Sequence, residues 1–179
     1  MRLSKNAIPS GKTGKRGMAY GTYSPDLLTR ILRETKTIAL VGASADWRKA
    51  SFIVMKYMLS KGYDVIPVNP RAAGTEILGR PVVAALANIT HPIDMVDIFR
   101  NAEAAGGVSD EAITIGAKTV WMQLAIINEP AAARAESAGL TVIMDRCPKV
   151  EYSRLCGEGG WMGLPSNIIS SRRTRRLAR

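Results

Sequence analysis

Between Gly42 and Ser51 the chain reads Gly-Ala-Ser-Ala-Asp-Trp-Arg-Lys-Ala-Ser, so a glycine, two serines, an arginine and a lysine fall on one short stretch. That mixture suits a phosphate. Gly42 permits a sharp turn and a close approach to the backbone, and a helix opening just after it would aim its unpaired N–H groups at the same spot. Ser44 and Ser51 add hydroxyl donors, and Arg48 and Lys49 add positive charge. Read blandly, Gly42 is only a turn and either serine only a helix cap. What tips the reading towards a nucleotide is what lies on either side.

Thr37–Val41 (TIALV) and Asp64–Val68 (DVIPV) are apolar runs too short for helices and fit buried parallel strands. Between them, Ile53, Val54, Tyr57, Met58 and Lys61 recur at helical spacing, with Gly62 as the stop. Strand, glycine turn, helix and strand make one βαβ unit. The second strand runs out into Asn69-Pro70-Arg71. A site for NAD asks for G-x-G-x-x-G and an acidic residue at the end of that strand, and neither is present. Pro70 stiffens a loop against which a flat base could lie, while Arg71 favours an additional phosphate over a bare ribose. NADP, or a coenzyme A with its ribose phosphate, matches that polarity better.

The rest of the chain continues the alternation. Ser24-Pro25 opens a helix to about Glu34. Beyond Arg71, a short excursion around Gly79 leads into a helix-like Val83–Leu86. Ile93–Phe99 is a third strand that ends in Arg100, where Arg100 either holds an anion or pairs with Asp97. Ser109-Asp110-Glu111 is read as the cap of a helix stopping at Gly116. Lys118–Leu124 is a fourth strand whose end presents Gln123 to the same crevice, with Trp121 and Met122 as packing residues. A helix over Glu129–Ala138 and a fifth strand over Leu140–Met144 follow, and past Pro148 the pattern fades. Such alternation predicts an α/β fold, a doubly wound parallel five-stranded sheet with its ligands at the carboxyl ends of the strands.

Several blocks, in order, are similar to those of a known family. They are Val41-Gly42-Ala43-Ser44, Arg48 and Ser51, Gly62-Tyr63, Pro67-Val68-Asn69-Pro70, Asp97-Ile98-Phe99-Arg100 and Val120-Trp121-Met122-Gln123. Together they resemble the stand-alone CoA-binding proteins, whose Rossmann-like domain is similar to that of the succinyl-CoA synthetase alpha subunit. The resemblance spans about Leu27 to Glu151. It implies that the adenosine diphosphate part of CoA lies along the glycine turn and the Asn-Pro loop, and that the pantetheine passes Phe99 and Arg100. The binding set it implies is Gly42, Ala43, Ser44, Arg48, Ser51, Val68, Asn69, Pro70, Arg71, Phe99, Arg100 and Gln123. In that reading the backbone N–H groups of Ala43 and Ser44 cradle the pyrophosphate with Ser51, and Arg48 or Arg71 takes the remaining phosphate. Ala125 departs from the family, where a glycine-bearing turn is expected after the Trp-Met-Gln strand.

Composition narrows the classes. One domain of this length has room for one core. The net charge of +10 is carried entirely by two acid-free ends, residues 1–23 and 170–179, so the body is neutral and a nucleic-acid-binding fold is disfavoured. The expected domain is therefore 24–169 between two basic tails. Ser10-Gly11-Lys12-Thr13 lacks the strand and first glycine of a P-loop. No apolar run approaches a membrane span, and Cys147 and Cys156 have neither zinc nor redox spacing, which predicts buried thiols, no metal site and a cytoplasmic location. His91, the only histidine, sits beside Pro92 in a linker and has no nucleophile paired with it in sequence. The functional expectation is a small module holding CoA or an acyl-CoA without evident catalysis, as a monomer or small homo-oligomer with room for a protein partner. The alternatives are an NADP-dependent oxidoreductase and a CoA-ligase-related accessory subunit.

Overall fold

The structure is a computed structural model that describes residues 22–156. Helix α1 (Pro25–Glu34) starts where Ser24 accepts from the Leu27 N–H and Pro25 needs no donor partner. Strand β1 (Thr37–Val41), helix α2 (Ala50–Ser60) and strand β2 (Asp64–Val68) form the expected βαβ unit. A two-residue hairpin, β3 (Glu76–Ile77) and β4 (Arg80–Pro81), makes the excursion around Gly79. Then come β5 (Met95–Ile98), α3 (Ala102–Thr114), β6 (Thr119–Met122), α4 (Glu129–Ser137), β7 (Thr141–Ile143) and α5 (Pro148–Leu155).

The five strands β2-β1-β5-β6-β7 pair in parallel in that order. The chain therefore runs outward from β1 to β2, returns across β1, and continues the other way. The order reverses between β1 and β5, which opens a crevice at their carboxyl ends. The two faces bury separate apolar layers. Leu28, Leu32, Met55, Met58 and Tyr152 cover one, and Ala105, Ala112, Ala132 and Ala135 cover the other. Small residues on α3 and α4 let these helices lie close: a methyl group at Gly106 would stand 3.2 Å from Asn128 Nδ2. That amide donates to the Ala102 carbonyl, while Asn128 Oδ1 caps α4 through the Ala131 N–H.

Four local expectations are corrected. Val83–Leu86 is not helical: Val83 bridges Val68 in parallel, and only Leu86–Asn88 forms a single 3₁₀ turn. Ser109 caps nothing, because α3 begins at its N-cap Asn101 and Ser109 is buried mid-helix, donating to the Ala105 carbonyl. The pair Gly106-Gly107 lowers helix propensity there and conceals the first two turns. Ile53 on α2 is 44% exposed, whereas Met55 is fully buried. The fading pattern past Pro148 hides a helix, α5, because it buries Tyr152, Glu151 and Ser153 rather than an aliphatic stripe. Tyr152 meets Tyr57 and Tyr63 edge-on.

No helix among the described residues is long and apolar enough to cross a membrane. The basic ends, apart from Thr22 and Tyr23, lie outside the described residues, as does the glycine-rich sequence 157–163. Tyr23 packs onto the body, its hydroxyl accepting from the Met144 N–H at 2.7 Å.

Candidate functional site

At the crevice between β1 and β5, Gly42 turns with φ +90°. A β-carbon there would sit 2.6 Å from the Phe99 carbonyl oxygen, so the neighbouring loop's backbone already fills the space a side chain would need. The Gly42 and Ala43 N–H groups both donate to the Val68 carbonyl, at 2.9 and 3.3 Å. The Ala43 N–H expected for a pyrophosphate is thus spent on fastening the turn to β2. Ser44 Oγ accepts from the Asp46 N–H.

A cleft of about 510 Å³ opens here, lined by Gly42, Ala43, Ser44, Lys49, Ala50, Ser51, Asn69, Arg71, Phe99, Arg100 and Asn101. Three of these residues are cations and none is acidic. The amino end of α2 faces it with no side chain capping the helix and no acid in the first turn. Its first N–H groups and the positive end of its dipole are available to an anion. Asn101, which caps α3 through the Ala104 N–H, brings a second helix start to the same cleft.

The loops around the cleft are tied together by Asn69. Its Nδ2 donates to the Ala43 carbonyl at 2.7 Å, and its Oδ1 accepts from the Arg71 N–H at 3.0 Å. One carboxamide therefore joins the β1 turn to the β2 loop and orients Arg71.

Eight of the twelve residues singled out in the sequence line the cleft: Gly42, Ala43, Ser44, Ser51, Asn69, Arg71, Phe99 and Arg100. Four do not. Val68 is buried in the core, and Pro70 is exposed beside the cleft. Arg48 turns to Asp46 in a two-pronged pair of 3.0 and 3.1 Å, which holds that carboxyl below its usual range. Gln123 is buried, donating through Nε2 to Asp97 Oδ1 at 2.8 Å. Asp97 accordingly pairs with Gln123 and leaves Arg100 to the cleft. Burial pushes the Asp97 carboxyl up to about 7, against the pull of the Gln123 hydrogen bond. Lys49, Ala50 and Asn101 were not among the twelve. Asn101 was legible as an Asn two residues past a strand and just ahead of an alanine-rich helix.

Elsewhere, Cys147 and Cys156 are buried and neither is in a disulfide, and burial raises the Cys147 thiol above its ordinary value. His91 is exposed and lines a smaller groove near the amino end of β2, with Asp64 and Arg80. Among the described residues no three His, Cys, Asp or Glu side chains are grouped to hold a metal ion.

Comparison with known proteins agrees with this fold. The chain is 40% identical over 126 residues to the uncharacterized protein YneT of Bacillus subtilis, covering 70% of this chain and 92% of that one. A hypothetical protein from Pyrococcus horikoshii superposes with a TM-score of 0.73 at 37% identity, covering 78% of this chain and 98% of that one. A dinucleotide-forming acetyl-coenzyme A synthetase from Candidatus Korarchaeum cryptofilum, solved with phosphate and ADP, superposes with a TM-score of 0.57 at 26% identity. That likeness covers 64% of this chain and 26% of the synthetase. Residues 36–153 match the CoA binding domain, a stretch that contains β1 through α5 up to Ser153 and every residue lining the cleft, and the chain belongs to that family of CoA-binding proteins.

Proposed function

We propose that this protein holds coenzyme A, free or acylated, with its phosphates in the cleft between the β1 turn, the Asn69–Arg71 loop and the start of α3. The observation that carries the reading is a lining whose charged residues, Lys49, Arg71 and Arg100, are all cations, set against the uncapped start of α2. A diphosphate gains from the α2 N–H groups and the Ser51 hydroxyl, and the ribose phosphate is assigned to Arg71 on the Asn69-braced loop. Arg48, committed to Asp46, is not needed for either. The functional unit is residues 24–169, working in a reducing compartment such as the cytoplasm, where buried thiols stay reduced.

Calorimetry with CoA and dephospho-CoA tests this. A charge-assisted contact is worth about 1.5–3 kcal/mol, so Arg71→Ala should weaken CoA about ten-fold or more and leave dephospho-CoA little changed. Equal affinity of the unaltered protein for both ligands would remove the assigned role from Arg71. A titration with NADPH that saturates where CoA does not would replace the reading with that of a reductase.

A further inference from the structure

Trp47 stands out because an indole is seldom left 72% exposed, and this one is displayed on the loop that forms one wall of the cleft. It is a central residue of the turn from Asp46 to Lys49, closed by the Lys49 N–H donating to the Asp46 carbonyl at 3.0 Å. The turn is held on both sides. The Asp46 N–H donates to Ser44 Oγ, and the Asp46 carboxylate takes the Arg48 N–H and its guanidinium. Ser44 and Lys49, which bracket it, both line the cleft. The indole itself has no hydrogen-bond, ring or cation partner among the described residues.

We propose that Trp47 is the platform on which the purine base of the bound nucleotide stacks. The inference rests on the CoA reading and deepens it. A base is joined to its diphosphate through a single ribose, so phosphates at the start of α2 leave the base within reach of the rim formed by the Asp46–Lys49 turn. The Asn69–Pro70 loop is the other surface suggested for the base. There the Asn69 carboxamide is consumed at both ends, and Pro70, which like Trp47 stands at the rim outside the cleft lining, offers no aromatic face. An exposed aromatic face held on a fixed turn loses little freedom on stacking, and its contact is of the size found for base–aromatic pairs.

The test uses the full chain, with CoA and with 4′-phosphopantetheine, which lacks the adenosine. Trp47→Ala should weaken CoA about ten-fold and leave 4′-phosphopantetheine unchanged, while Trp47→Phe should keep most of the CoA affinity. In a Trp161→Phe background, quenching of tryptophan emission by CoA should vanish when Trp47→Phe is added, since the remaining Trp121 is fully buried. CoA affinity unaltered in Trp47→Ala overturns the inference alone. An equal loss for both ligands also overturns it, because the residue would then act by shaping the loop. If the unaltered protein binds no CoA, the reading beneath the inference falls as well.

Discussion

At Asp97 a carboxyl group is enclosed in the core beside Leu40 and Trp121, its partners across the sheet. Oδ1 is held by Gln123, and Oδ2 has no partner among the described residues. Charging it there is costly, which is why its folded value rises to about 7 from an ordinary 3.8. A group that holds its proton more tightly when folded contributes its full stability below about pH 4, loses it progressively towards pH 7, and is level above that. Asp97→Asn cannot ionise and keeps an acceptor for Gln123. Relative to the unaltered protein it should gain stability from pH 5 to pH 8, by an amount of the order of 1–4 kcal/mol in urea unfolding. A constant difference across that range would mean that Asp97 is equally ionised in the folded and unfolded states, its carboxyl not raised by burial.

Among the elements, those with a clear period were legible in the sequence and those shaped by packing were not. Strands β1 and β2 and helices α1 and α4 fall within a residue or two of their expected bounds, because short apolar runs and Ser-Pro or Asn-Glu-Pro starts announce themselves locally. The start of α3 and all of α5 escaped, since Gly106 answers to Asn128 and Tyr152 to two tyrosines distant in sequence. The site shows the same division. Gly42, Ser44, Ser51 and Arg71 could be picked out by type, but the Arg48–Asp46 pair depends on the local turn geometry and the Asn69 brace on a contact 26 residues away in sequence. The turn after β6 tests a departure that could be read in the sequence. Ala125 stands at φ 63° with its N–H donating to Asp145 Oδ1, in a region that a side chain tolerates poorly. Ala125→Gly should therefore stabilise the protein by about 0.5–1 kcal/mol in urea unfolding, the relief of strain exceeding the added entropy of the unfolded glycine. A loss of stability would show that the Asp145 contact holds the turn without strain.

For the whole molecule, the reversal of strand order matters more than any one residue, because it brings the ends of β1, β2 and β5 to one crevice while the two apolar layers pack on the faces of the sheet behind it. The chain's excess charge lies in its ends, so the pull on an anion comes from Lys49, Arg71 and Arg100 together. A ligand bridging these loops binds the folded state alone, and at a hundred times its dissociation constant adds about 2.7 kcal/mol. For a chain of this size each kcal/mol raises Tm by about 2–4 °C, so saturating CoA should raise it by roughly 5–11 °C. Dephospho-CoA at the same concentration should raise it less. Since the three cations are exposed, the gap between the two ligands should narrow as sodium chloride goes from about 0.05 to about 0.5 M, where the screening length falls to a few ångströms. Equal shifts for both ligands at low salt would show that the ribose phosphate meets no cation, and the pull of Lys49, Arg71 and Arg100 would then fall on the diphosphate alone.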